Sequence, residues 1–137
     1  VLCVLLFFVF PSRGAVGRFL TGMVGPGCEE VAAELVKNGV RATVSPGANG
    51  RVELTVFHGE EIDFTYKVKS VPHNLPAFVQ QSGSVDEAAE EQKYYRAEVP
   101  LGEGGQDYDI MGWSREGVIN DIVAQYHKHM HFLHSLR

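Results

Sequence analysis

The chain has only two cysteines and one tryptophan among its 137 residues, and no stretch dense in lysine or arginine. Cys3 lies in an apolar run and Cys28 beside two glutamates, so no disulfide framework is implied and a reducing compartment fits. Twelve basic residues against seventeen acidic ones give a formal net charge of -5, without the basic footprint that nucleic-acid binding needs. No Asn-x-Ser/Thr acceptor site is present, which is consistent with a cytosolic home. The longest apolar run is "VLCVLLFFVF", residues 1–10, whereas a bilayer-spanning helix needs about twenty residues. It lacks the basic segment before it and the small-residue cleavage site after it that a signal peptide requires, and Pro11 would end any helix. Residues 1–10 are therefore set apart as an apolar segment: the end of a transmembrane helix, a buried element of the core, or an artefact of where the chain is cut.

What remains, residues 11–137, has the size and balance of one globular domain, with 45% hydrophobic and 21% charged residues in the whole chain. Ser12 is a helix cap, and Val16, Phe19, Leu20 and Met23 follow at helical spacing. Pro26 suits the first turn of a second helix, "CEEVAAELVKNG", with glutamates at its positive end and Lys37 and Gly39 at its stop. The period then changes to two. Val40, Ala42 and Val44 alternate with polar residues, "SPGANG" makes a turn, and Val52, Leu54 and Val56 continue the alternation. After a second turn at His58-Gly59, Ile62, Phe64, Tyr66 and Val68 keep the same face apolar. From Pro72 to Gln92 the composition reads as a surface loop containing acidic "VDEAAEE", and "QKYYRAEVPL" reads as a fourth strand. A closing helix starts after Ser114, with Val118, Ile119, Ile122, Val123, Tyr126, Met130 and Leu133 at steps of three and four. The expected fold is α+β in two layers: an antiparallel sheet of about four strands covered by two N-terminal helices and one long C-terminal helix.

Four histidines crowd the end of that last helix. At 100° per residue, His127, His131 and His134 share one edge of the apolar stripe and His129 takes the other. Steps of four and three let imidazoles converge on one zinc, which makes these three the candidate ligands of a free-standing metal- or ligand-binding module. No cysteine or carboxylate stands at ligand spacing, however, and histidine is favoured at a helix C-terminus by the dipole alone. The expectation is no metal and no cofactor.

Other motifs point to no enzyme. "GEGGQDYDI" lacks the Gly-Lys-Ser/Thr of a phosphate loop and the twelve-residue geometry of a calcium loop, leaving a glycine-rich turn into a short edge strand through Tyr108 and Ile110. "GWSRE" matches the nucleophile elbow at three positions only, with Glu116 where the final glycine belongs. Ser114 reads as a cap, and Trp113 as an anchor for the start of the helix.

The combination "YYRAEVPLGEGGQDYDIMGWSREGVINDIVAQYHKHMHFLH", with "PSRGAVGRFL" and "EEVAAELVKNGV" upstream, resembles the cytosolic C-terminal domain of BetT-like choline transporters of the betaine/choline/carnitine transporter family. The resemblance covers residues 11–134. It implies a bacterial regulatory tail following the last membrane helix, at the cytoplasmic face of the inner membrane, that modulates uptake of a quaternary ammonium compound under osmotic stress. The aromatic cage that holds the substrate in that family belongs to the membrane body, the tail's implied partner together with anionic lipid headgroups. Two features depart from the pattern: Gly117 stands where a Glu or Gln would complete a capping box, and "VLCVLLFFVF" is not a charged amphipathic linker. On this reading Trp113, Arg115, His127, Lys128, His131 and His134 are the candidate partner surface.

Overall fold

A computed structural model describes residues 10–45, 50–76, 93–100 and 107–135, with side chains described as far as His131. The apolar segment before Phe10, the "SPGANG" turn apart from its ends, the acidic "VDEAAEE" stretch and the glycines of "GEGG" lie outside the described residues.

Ser12 caps α1 (Arg13–Phe19) by accepting the Ala15 amide at 3.2 Å. The expected break before the second helix does not occur. A π-helical turn, Leu20–Val24, runs directly into α2 (Gly25–Lys37), so the two helices form one continuous rod. Pro26, read as the first turn of a second helix, carried the signal for a break, and Gly22 and Gly25 precede it. The wider turn absorbs them: the Gly25 amide reaches back to the Leu20 carbonyl, and the proline that follows has no amide to place. The turn also keeps the rod on the sheet. Val16, Leu20, Val24 and Cys28, spaced by four, are all fully buried, although steps of four drift by about 40° each in an ideal α-helix. The slower winding of the π turn offsets part of that drift.

α2 ends at Asn38 in a Schellman motif: the Gly39 amide bonds the Val36 carbonyl at 3.0 Å and the Val40 amide bonds the Leu35 carbonyl at 2.8 Å. Gly39 has φ +84°, a left-handed conformation that a Cβ disfavours. Gly39→Ala is expected to destabilise the domain by about 1 kcal/mol, measured as a lower urea midpoint at unchanged slope. An unaltered midpoint would show that the cap can rearrange.

Five strands follow in sequence order as an antiparallel meander: β1 (Ala42–Ser45), β2 (Arg51–His58), β3 (Glu61–Asn74), β4 (Lys93–Val99) and β5 (Tyr108–Asp109). Register pairs Val52 with Val68, Leu54 with Tyr66 and Val56 with Phe64, so the inward alternation is in phase on both strands. The expected fourth strand is therefore joined by a fifth, the short edge strand through Tyr108, which pairs with Val99. β3 also runs past the expected loop start at Pro72, pairing with β4 through Asn74. β2 stops pairing at Lys69, so among the described residues Pro72 has a strand neighbour on one side only, the position in a sheet that tolerates proline.

The last element is α3 (Arg115–Ser135). Its first turn is capped as expected, the Ser114 hydroxyl accepting the Gly117 amide at 3.1 Å. The rod and α3 cover the same face of the sheet, enclosing a core in which Leu20, Leu54, Tyr66, Val68, Val118 and Ile122 are at most 2% exposed. This is an α+β two-layer fold.

Candidate functional site

α3 meets the rest of the domain along three lines. Val118 and Ile122 form its buried spine, and Gly27 of α2 lets the two helices approach, a Cβ there falling 3.5 Å from Val118 and 3.6 Å from the Arg115 carbonyl. On one flank the Asp121 carboxylate accepts hydrogen bonds from the phenols of Tyr66 on β3, at 2.7 Å, and Tyr108 on β5, at 2.5 Å. Gln125 donates to the Tyr108 oxygen at 3.3 Å. Further along, Tyr126 packs edge-on against Phe64 at 5.3 Å, and His129 stands over the same ring with its Nε2 3.4 Å from Asp63. One carboxylate thus ties two strands to one helix.

Burial, and then the hydrogen bond to Asp121, pushes the Tyr66 and Tyr108 phenols above their ordinary range. Burial, with a smaller contribution from Glu29, pushes the Cys28 thiol up from 9.0 to about 12. The folded state therefore holds a proton at Cys28 that the unfolded chain releases. This favours folding fully below pH 9, and the contribution is lost as pH rises from 9 to about 12. The expected loss is up to ~1.4 kcal/mol per pH unit. Under reducing conditions the urea midpoint should fall over this window, and the fall should be shallower in Cys28→Ala, even though that variant starts lower at neutral pH. Parallel curves would exclude Cys28 as the source.

The residues singled out in the sequence distribute differently. Arg115 reaches across to Glu30 of α2 at 3.6 Å, both side chains being more than half exposed, so little stability rides on the pair. His127 borders a groove between α2 and α3. Lys128 and His131 are exposed, Lys128 bordering a cleft with Asp63 and His129, and the His134 side chain lies outside the described residues. Trp113 is 38% exposed and tilts toward Tyr108 with ring centroids 6.4 Å apart. His129, assigned by helical spacing to the opposite edge, is half-buried against Asp63 and Phe64. Among the described residues no three His, Cys, Asp or Glu side chains are grouped to hold a metal.

Two features were missed from the sequence. Asp121 interrupts an apolar stripe, and a carboxylate there is a signal that phenols or amides must face it. The groove between α2 and α3 is open, about 340 Å³, with Leu54, Val56 and Phe64 as its floor, Val31 and Leu35 on one wall, and Ile119 and Val123 on the other. It arises because α2 and α3 touch near Gly27 and leave the sheet uncovered beyond it.

The similarity to known proteins is extensive on the side of this chain. It is 36% identical over 134 residues to the high-affinity choline transport protein of Escherichia coli, covering 93% of the chain. It is 34% identical over 126 residues to a glycine betaine transporter of Acinetobacter baylyi. The relatives it matches are named choline and glycine betaine transporters. A third BetT-like relative, an osmo-dependent choline transporter of Acinetobacter baylyi, is 33% identical over 133 residues. The chain spans 18–19% of the length of these relatives. No family model matches it. Among the described residues, no helix is long and apolar enough to cross a membrane.

Proposed function

We propose that this BetT-like chain is the regulatory portion of a choline- or betaine-type osmolyte transporter, lying on the cytoplasmic side and adjusting uptake of a quaternary ammonium compound to osmotic conditions. The observation that carries this reading is the match of nearly the whole chain to a small part of several transporters, combined with a two-layer unit that has its own core. A unit of that kind is suited to modulating a transport path supplied by the rest of the protein. The one hydroxyl considered as a nucleophile, Ser114, is engaged as a helix cap, and the role is regulatory rather than catalytic. The name of the osmo-dependent relative adds support.

A module regulates only by interacting differently with two states of its target. The exposed cations of α3, Lys128 with His131 when protonated, supply contacts to the transporter body or to anionic headgroups. Such contacts weaken as cytosolic salt rises, since exposed charges are screened over about 8–10 Å at physiological ionic strength. In the parent transporter, Lys128→Glu with His131→Glu is expected to displace the osmolality of half-maximal choline uptake while maximal uptake at equal expression is kept. Superimposable osmotic curves would remove α3 from the mechanism.

A further inference from the structure

The groove between α2 and α3 has an apolar interior and an acidic lip. Glu30 and Glu34 line the α2 side, and Val123, 41% exposed, lines the α3 side. Glu30 faces Arg115 at 3.6 Å, and among the described residues no ion pair engages the Glu34 carboxylate. An open cleft of this size is filled in recognition complexes by apolar side chains of a partner, while charged rims set partner choice. From these features we infer that the groove seats an amphipathic, lysine- or arginine-bearing segment of the transporter body, its apolar side chains on Val31, Phe64 and Val123 and its cations at Glu30 and Glu34. The inference rests on the regulatory reading above.

Charge decides among occupants. Cytoplasmic loops of membrane proteins carry an excess of lysine and arginine, the complement of this lip. A second copy of the chain carries the same net charge of -5, and an anionic membrane surface is likewise repelled by the two glutamates. The relatives, of which this chain spans 18–19%, contain ample further sequence to provide such a segment.

The test uses the full chain and two labelled peptides of matched length, one amphipathic in leucine and lysine, the other in leucine and glutamate, read by fluorescence anisotropy. The leucine–lysine peptide should bind at least about tenfold more tightly than its acidic counterpart. Binding should weaken with salt, and by about tenfold in Glu34→Lys and in Val123→Lys. Lys67→Glu, on the opposite face of the sheet, should leave it unchanged. Because Glu34 and Val123 are exposed, these variants should melt within a few degrees of the wild type. Equal binding of the two peptides, or indifference to both groove substitutions, overturns the proposal. A dimer of the chain dissolved by Val123→Lys, or retention on phosphatidylglycerol vesicles abolished by it, overturns it in favour of a second copy or a lipid.

The parent transporter separates this inference from the reading beneath it. If removing residues 11–137 changes the osmotic response while Val123→Lys does not, the groove fails and the regulatory reading stands. If removal changes nothing but the peptide still binds in the groove, the regulatory reading fails and the groove remains a docking site.

Discussion

Asp121→Ala is expected to lower the free energy of unfolding by about 3 kcal/mol, and the melting temperature by roughly 10 °C. The carboxylate accepts from two phenols, at 2.7 Å and 2.5 Å, that come from different strands. Hydrogen bonds to a charged acceptor contribute about 1.5–3 kcal/mol each, and a donor left buried without a partner is expensive. Tyr66 is 2% exposed, so in the alanine variant its hydroxyl loses a charged acceptor at a buried site. Tyr66→Phe removes the donor and leaves Asp121 bonded to Tyr108, so its effect should be about 1 kcal/mol. Thermal and urea unfolding of both variants would check the ordering. A Tyr66→Phe variant as unstable as Asp121→Ala would place the energy in the phenol's packing instead of the shared carboxylate.

Ile122→Ala should be comparably severe, with a loss of about 2–5 kcal/mol. The side chain is 1% exposed and sits where α3 meets the sheet, beside Leu54 and Val56 at the inner end of the groove. Truncation removes buried methyl groups and opens the cleft inward, and partial collapse of α3 toward the sheet decides where in that range the value falls. The alanine variant should also unfold with a lower urea midpoint at similar slope, the signature of a stability change without a change in the denatured state. A loss under 1 kcal/mol would mean that α3 is not held by its buried spine.

How far the fold could be read in advance depended on periodicity. β2 and β3 were legible because Leu54 and Tyr66, and Val56 and Phe64, alternate in phase with polar residues and now face each other across the ladder. The helix caps at Ser12 and Ser114 followed from hydroxyls placed before apolar stripes, and both accept the expected amides. The rod was misread as two helices, since Pro26 suits the first turn of a helix. Tertiary packing of Val16, Leu20, Val24 and Cys28 against the sheet holds the rod together through a π turn. The continuation of β3 through Pro72 was hidden for a similar reason: proline is tolerated there only because β2 has already ended.

The site was less legible than the fold. Helical spacing separated His127 from His129, and the structure sets His127 at the groove and His129 over Phe64. No spacing rule could show that Asp121 would meet two tyrosines from strands 55 and 13 residues away in sequence. Nor could it show that Glu34 would border an uncovered stretch of sheet, because both depend on how α3 crosses the sheet.

The most direct measurement is uptake of labelled choline against external osmolality by the parent transporter, intact and cut before Pro11, at matched expression. The account predicts that the shortened transporter still carries choline but with an altered dependence on osmolality. Two coincident curves would contradict it.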